Sequence, residues 1–392
     1  MRARLSWRWI AAAILASLAL SLAGAGAWWY LQPSSSTPLL DGPSQAGLNY
    51  GAPHTLDGSW VGTRWLRSGG PWEDSSPALA ADLDFIRARG LGRVVRLFVG
   101  LDQTMVWNAQ AGFDGFDETT LRHLGQALDM LDARGFRAVI VVFDQEEVSS
   151  PGNFHFEALD GGHDVMRRNY LTALGEFLRR FGSRSTVIGW DLFNEAYNSL
   201  GRDGGLPAPP HADPVSPGYS DATVHGWLAD LYRVARAAAP TARFTFSDAT
   251  ELYWNPDPDL AKYEDVVDFY DVHVYDDRPV YPAWRSILNK PYIVGEAGAS
   301  TAGRHYDDQA MNSQAVGYLL GHARSAGVSF VLVQGQSFTS DRRALTPTGA
   351  ALAIFLSANS GASQTQSRPG PVDALVAFAV STARRVKRAL GF

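Results

Sequence analysis

Residues 186–195 read Thr-Val-Ile-Gly-Trp-Asp-Leu-Phe-Asn-Glu. The first eight form an almost continuous apolar run of strand length, which is typical of a parallel β-strand buried on both faces. The polar pair Asn194 and Glu195 follows the run directly. A second run of this kind, residues 291–298, carries Glu296 between small residues near its end. The sequence therefore predicts two buried strands that each end in a carboxylate.

The rest of the chain alternates such runs with helical patterns. Strands are predicted at 47–51, 92–99, 136–143, 186–193, 243–247, 267–275, 292–296 and 328–334, and helices at 77–89, 117–134, 163–181, 223–239, 282–288, 308–326 and 347–358. Eight strands with helices in nearly every interval predict an α/β fold, a (β/α)8 TIM barrel over residues 46–358. A doubly wound open sheet is the alternative, but it does not need eight strands. No glycine-rich phosphate motif follows a strand, so we expect no nucleotide cofactor.

The segments outside the barrel are predicted from composition. Residues 1–31 place three arginines before a long apolar stretch, which indicates a transmembrane signal anchor or, given Ala25-Gly26-Ala27, a cleaved signal peptide. Either reading predicts export, with the barrel anchored outside the cytoplasmic membrane or secreted. Residues 32–45 and 359–371 read as linkers. Residues 372–392 are predicted to be an amphipathic basic helix on a membrane surface, or an extra helix packed on the barrel or a frayed end.

Charge and cysteine content exclude several classes of function. The formal net charge is −6, and each end of the chain (1–31 and 371–392) carries +3, so the part between them carries −12. An acidic central domain argues against nucleic acid and is compatible with a neutral polysaccharide. The absence of cysteine excludes disulfides, thiolate metal sites and cysteine nucleophiles. No histidines have metal-ligand spacing and no Gly-x-Ser-x-Gly occurs, so neither a metal nor a serine nucleophile is expected.

The two end-of-strand glutamates suggest a reaction. In a TIM barrel the C-terminal strand ends meet at one face, and Glu296 follows Glu195 by 101 positions, a normal length for three βα units. Retaining glycosidases need two carboxylates in this arrangement, one as acid/base and one as nucleophile. Arg96 lies inside the second strand, where a charge is expected to face a partner such as an ionised nucleophile. A structural ion pair in the barrel core is the alternative for Arg96.

Other candidate substrate-binding residues lie on the sixth strand and in loops. Asp271, His273 and Tyr275 alternate, so they share one face of the strand. His273 is a candidate for orienting sugar hydroxyls and Tyr275 for a hydrogen bond to the nucleophile. Among the tryptophans near strand ends, which are Trp65, Trp107, Trp254 and Trp284, we favour Trp107 and Trp254 as sugar platforms, although packing is the more common role for each.

The set formed by Arg96, Asn194-Glu195, His273-Val274-Tyr275 and Glu296 resembles the clan of retaining TIM-barrel glycosidases that includes the cellulase and β-mannanase family. The resemblance covers roughly residues 46–358. It implies that Glu195 is the acid/base, Glu296 the nucleophile and Asn194 a contact to the sugar 2-hydroxyl. It also implies that Arg96 and Tyr275 hold the nucleophile.

The sequence departs from this family in two places. The third strand ends in Val142-Phe143-Asp144-Gln145-Glu146 where such cellulases have a nearby His, and the last strand reads Val333-Gln334-Gly335-Gln336 where they have a Trp. Phe338 is a candidate substitute for that Trp.

The expected function is thus hydrolysis of a β-linked polysaccharide or oligosaccharide, with endo action preferred and the choice among glucan, mannan and exopolysaccharide open. The alternatives are a non-catalytic carbohydrate-binding barrel and a structural protein of an envelope or exopolysaccharide system.

Overall fold

The structure is a computed structural model, and it describes residues 45–53, 56, 65–67, 71–108, 112–143, 164–196, 219–249, 260–275, 290–298, 309–326, 328–334, 339 and 342–359. All of these lie within one compact unit, Gly42–Phe392. The predicted anchor (1–31), both linkers apart from Gln45 and Asn359, the predicted helix at 282–288 and the basic segment 372–392 lie outside the described residues. They stay predictions.

Nine strands form one parallel sheet. They are β1 (Gln45–Gly51), β2 (Val94–Phe98), β5 (Arg137–Phe143), β6 (Val187–Phe193), β7 (Phe244–Thr245), β8 (Ser247–Ala249), β9 (Tyr270–Tyr275), β10 (Tyr292–Gly298) and β11 (Phe330–Gln334). Their order is β7-β6-β5-β2-β1-β11-β10-β9-β8. The two outer strands, β7 and β8, are consecutive in the chain and are separated by Phe246 alone. The sheet therefore closes on itself as a barrel of eight strand positions, which confirms the predicted parallel α/β barrel.

Six helices surround the described part of the barrel. They are α1 (Pro71–Arg89), α2 (Glu118–Ala133), α3 (Asp164–Phe181), α4 (Asp221–Ala238), α5 (Gln309–Ala326) and α6 (Pro347–Asn359). Two begin at side-chain caps: Asp117 accepts the backbone N–H groups of Thr119 and Thr120, and Ser220 accepts that of Thr223. These caps explain why the predicted starts of α2 and α4 are within two residues of the observed ones.

The first helix begins earlier than the predicted 77–89. It starts at Pro71, and Pro77 lies inside it. Proline is tolerated at the first helical position because its missing N–H has no partner there, and two prolines made the start ambiguous. Buried residues of the added turns, Trp72 and Ser75, continue the spacing of Leu79 and Asp82 and bind the extension to the barrel.

A β-hairpin that the sequence did not predict follows β2. Its antiparallel strands are β3 (Met105–Trp107) and β4 (Phe113–Phe116). Each strand has only three or four residues, which is too short for a period to be read. The hairpin carries Trp107.

Among the described residues, no helix is long and apolar enough to cross a membrane.

Candidate active site

Arg96 lies at the centre of the polar cluster inside the barrel. It is fully buried on β2, in register with Asn49 of β1 and Val139 of β5. Its guanidinium donates to Glu296 Oε1 (2.5 Å) and Asp191 Oδ2 (2.6 Å). It also donates to Asn194 Oδ1 at 2.7 Å. One side chain thus connects the ends of β2, β6 and β10.

The charges around Arg96 keep it protonated. Burial by itself would lower the pKa of Arg96, but the carboxylates of Glu296, Asp191 and Asp271 outweigh it and raise that pKa further above its usual range. Because one guanidinium faces three carboxyl groups, the cluster carries surplus negative charge unless a second cation or a proton compensates. His273, which also lies close to Glu296, is a second group that can carry positive charge.

Glu296 faces the cluster because of a bulge in β10. Val294 is in register with Val272 of β9, but the next paired residue, Glu296, is in register with His273. Gly295 is therefore an extra residue, which places Glu296 on the same face as His273 against simple alternation. A Cβ at position 295 would lie 2.1 Å from Asp271 Oδ1, so only glycine leaves room for that carboxyl. The bulge and the glycine together set the direction of the Glu296 side chain.

Glu195 lies two residues beyond the end of β6, close to Glu296. Its φ is +49°, a left-handed conformation that non-glycine residues seldom adopt. One carboxylate oxygen lies 2.7 Å from Nδ1 of the buried His273. The same nitrogen is 3.7 Å from Glu296 Oε2, so His273 lies between the two glutamates.

His273 has a raised pKa and lies beside both glutamates. Burial lowers its pKa, but the charge of Glu296 and the hydrogen bond to Glu195 outweigh burial and raise the pKa of His273 to about 9. Ligand atoms of Glu195, His273 and Glu296 lie within 4.8 Å of one another, close enough for a divalent ion.

Asp271 lies behind Arg96 and His273, deep in the barrel. Its Oδ2 is 3.8 Å from Arg96 Nε and its Oδ1 is 4.0 Å from His273 Nε2, both beyond hydrogen-bond distance. Neither oxygen of Asp271 has a hydrogen-bond partner within the described part of the chain. Burial therefore raises the pKa of Asp271 to about 7, although the charges of Arg96 and His273 lower it.

Asp271 should make the stability of the protein depend on pH. Its folded pKa of about 7 exceeds its ordinary value of 3.8, so its contribution is complete below 3.8 and is lost as the pH rises through 7. The Asp271→Asn variant lacks this proton. We expect its unfolding free energy, relative to the original protein, to increase by up to about 1.4 kcal/mol for each pH unit across that window.

Urea unfolding at about pH 4 and about pH 7 measures this difference for both proteins. Asp114→Asn, on the exposed hairpin strand β4, is the matched control. A difference between Asp271→Asn and the original protein that does not change with pH would contradict the assignment.

Two amides complete the cluster on the side of β1 and β11. Asn49 Nδ2 donates to Gln334 Oε1 at 3.3 Å, and Gln334 Nε2 donates to Glu296 Oε2 at 3.4 Å. Gln334 occupies the last-strand region where the resembled family has Trp. In this chain that strand end offers Glu296 a hydrogen-bond donor.

The remaining predicted site residues have different outcomes. Trp107 is half-buried on β3 and packs edge-on against Tyr170 of α3, with ring centres 6.1 Å apart. Its predicted role as a sugar platform stays a prediction. Tyr275 ends β9, in register with Gly298, but its side chain is not described. Trp254, Trp284 and Phe338 lie outside the described residues. Trp65 is fully buried and donates its indole N–H to the carbonyl of Phe98.

The cluster contains residues that the sequence analysis did not select. They are Asn49, Asp191, Ser247 and, as a nucleophile contact, Gln334. Asp191 could have been found by the argument used for Arg96, since it is a charge inside an apolar strand. Asn49, Ser247 and Gln334 are small or neutral polar residues with no such signal.

Comparison with known proteins shows similarity in structure. No protein-family profile matches the sequence, and no curated protein matches it by sequence. Among solved structures, the β-1,4-mannanase of the sea hare Aplysia kurodai superposes with a TM-score of 0.60 at 15% identity, covering 83% of this chain and 95% of that one.

Two further structures give similar TM-scores and sequence identities. The endo-1,4-β-mannanase of Eisenia fetida has a TM-score of 0.60 at 17% identity, covering 82% of this chain and 92% of that one. A GH5_18 protein of Streptomyces cattleya in complex with GlcNAc has a TM-score of 0.59 at 17% identity, covering 90% of this chain and 92% of that one. The chain therefore shares its TIM-barrel fold with these β-mannanases and the GH5_18 protein.

Proposed function

We propose that this protein is a retaining glycoside hydrolase that cleaves a β-linked polysaccharide or oligosaccharide. The observation that carries the proposal is the approach of Glu195 and Glu296 at the C-terminal strand ends of the barrel, where one carboxylate oxygen of each lies within 4.8 Å of the other. Retaining glycosidases hold their carboxyl groups about 5–5.5 Å apart, whereas inverting ones leave about 6.5–9.5 Å for a water molecule. The short separation between Glu195 and Glu296 supports hydrolysis with retention of the anomeric configuration.

In the first step, Glu296 attacks the anomeric carbon and the glycosidic C–O bond breaks, leaving a covalent glycosyl ester. Arg96 donates to Oε1 of Glu296, which leaves Oε2 as the proposed attacking oxygen. Glu195 gives its proton to the departing glycosidic oxygen. His273 holds one oxygen of Glu195, which leaves the other for the leaving group.

In the second step, water attacks the same carbon and Glu195 takes its proton. The ester bond to Glu296 breaks, and the product keeps the β configuration. Asn194 is proposed to contact the sugar 2-hydroxyl, where a hydrogen bond strengthens in the transition state. The β-mannanases of similar fold support a β-linked substrate and endo action.

The test is hydrolysis by the full-length protein of a panel of β-mannans, β-glucans and bacterial exopolysaccharides. Release of reducing ends is expected for one of these classes, with the β-anomer appearing first in NMR spectra of the products. Initial release of the α-anomer would contradict retention. Binding to a polysaccharide without release from any of them would favour a carbohydrate-binding barrel instead.

We also propose that the protein acts outside the cytoplasmic membrane. The support is the sequence of residues 1–31, with Arg2, Arg4 and Arg8 before the apolar stretch. Protease added to intact spheroplasts should digest the barrel domain if it faces outward, and protection of the protein would contradict export.

A further inference from the structure

The fifth strand position of the barrel is broken at one residue. β7 pairs with β6, with Trp190 in register with Phe244 and Asp191 with Thr245. β8 pairs with β9 on the other side and begins at Ser247. The chain therefore changes neighbours at Phe246. Within the described residues, no ladder pair beyond Asp191–Thr245 joins β6 to this strand position.

Ser247 provides the hydrogen bonds that the broken ladder lacks. It is fully buried, and its Oγ accepts the backbone N–H of Glu195 at 3.1 Å. Its own backbone N–H donates to Asp191 Oδ1 at 3.1 Å. The Ser247 side chain thereby supplies a hydrogen bond where a backbone group of a neighbouring strand would otherwise do so. This happens at Glu195, where the backbone adopts its left-handed conformation.

The same hydroxyl sets the orientation of the Asn194 amide. Ser247 Oγ donates its only hydrogen to Asn194 Oδ1 at 3.1 Å, and Arg96 donates to that oxygen at 2.7 Å. Two donors at Oδ1 fix which end of the amide is oxygen, so the Nδ2 group points to the opposite side. Arg96 also donates to Ser247 Oγ at 3.3 Å, so the lone pairs and the hydrogen of the hydroxyl are all used.

We infer that Ser247 is a positioning residue for proton transfer, holding the strained Glu195 backbone in the orientation that places its carboxyl group at the leaving oxygen. This inference rests on the proposed glycosidase function. A left-handed non-glycine residue persists only where its surroundings over-determine it. Without the hydroxyl, the Glu195 N–H loses its acceptor and the peptide can relax, which moves the carboxyl group away from the leaving oxygen.

The alternative is an ordinary buried hydroxyl that serves stability alone. Thr245 provides the comparison, because it lies two residues away on the same broken strand position and is fully buried. Its Oγ1 donates at 2.8 Å to the backbone carbonyl of Phe269, away from the glutamates. Thr245→Val removes a buried hydroxyl with little change in shape, so it is the matched control for Ser247→Ala.

The experiment compares two substrates built from the same sugar. That sugar is the one in the polysaccharide that the protein hydrolyses best among the β-mannans, β-glucans and exopolysaccharides tested. One is the unactivated β-linked oligosaccharide, whose leaving oxygen needs a proton. The other is the 2,4-dinitrophenyl β-glycoside, whose phenolate leaves without one. For Ser247→Ala we expect kcat/KM on the oligosaccharide to fall about 100-fold, the scale of a general-acid contribution. On the dinitrophenyl glycoside we expect a fall of about 5-fold or less.

Thr245→Val should lower kcat/KM by the same small factor on both substrates. Equal losses on the two substrates for Ser247→Ala, or no loss on either, would overturn the inference while leaving the glycosidase function intact. An original protein inactive on both substrates would overturn the proposed function itself. If Ser247→Ala does not fold, Ser247→Cys retains a weak donor in nearly the same space and is expected to show the same substrate-selective loss, about 10-fold. Its failure to do so would equally overturn the inference.

Discussion

Replacing Glu296 with Gln is expected to lower hydrolysis of the best substrate by about 10⁴-fold or more, with binding of that substrate retained. The amide has the shape of the carboxylate but is not a nucleophile, so no glycosyl ester forms. Arg96 and Gln334 contact this side chain through hydrogen bonds that an amide oxygen partly preserves, so the fold should persist. Reducing-sugar release and calorimetric titration with the substrate measure the two quantities separately.

Substitution of the partner glutamate should give a different result. Glu195→Ala is expected to retain activity on an activated aryl glycoside, and added azide should accelerate turnover and give a β-glycosyl azide, because the covalent intermediate still forms on Glu296. Glu296→Gln should show no such rescue. The matched control is Glu118→Gln, an exposed carboxylate paired with Arg180 on the outside of the barrel. Activity of Glu296→Gln within tenfold of the original protein would contradict the nucleophile assignment.

Replacing Arg96 with Met is expected to reduce the unfolding free energy by about 3–5 kcal/mol, and to abolish hydrolysis as well. The change leaves Asp191 and Glu296 in the barrel interior without their shared cation. An uncompensated buried charge costs far more than a missing surface ion pair. Chemical denaturation followed by tryptophan fluorescence measures the effect.

The control for Arg96 is Arg180→Met, which removes an exposed 2.7 Å pair with Glu118 and should cost about 1 kcal/mol or less. Combining Arg96→Met with Glu296→Gln should recover part of the lost stability, because one of the uncompensated carboxylates is then gone. A double variant no more stable than Arg96→Met would indicate that the Arg96–Glu296 contact is not the origin of the loss.

The sequence determined the barrel architecture of this protein and singled out charged residues that meet in its polar cluster. Runs such as 136–143 and 186–193 are apolar at most positions and have the length of a strand, which is typical of a parallel strand buried on both faces, so the eight strand positions could be predicted from the sequence. Arg96, Glu195 and Glu296 were identifiable because a charge in or directly after such a run must have a partner or a task. These signals are local, and they can be recognised in the sequence without knowledge of the fold.

The tertiary structure alone decided how those residues meet. The bulge at Gly295 depends on the Asp271 carboxyl that occupies the space of a side chain, and the break at Phe246 depends on the separate pairings of β7 and β8. Ser247 and Gln334 acquire their roles only from neighbours more than thirty positions away in the sequence. Register, bulges and hydrogen bonds between neutral side chains arise from contacts across the barrel, and such contacts leave no periodic pattern along the chain.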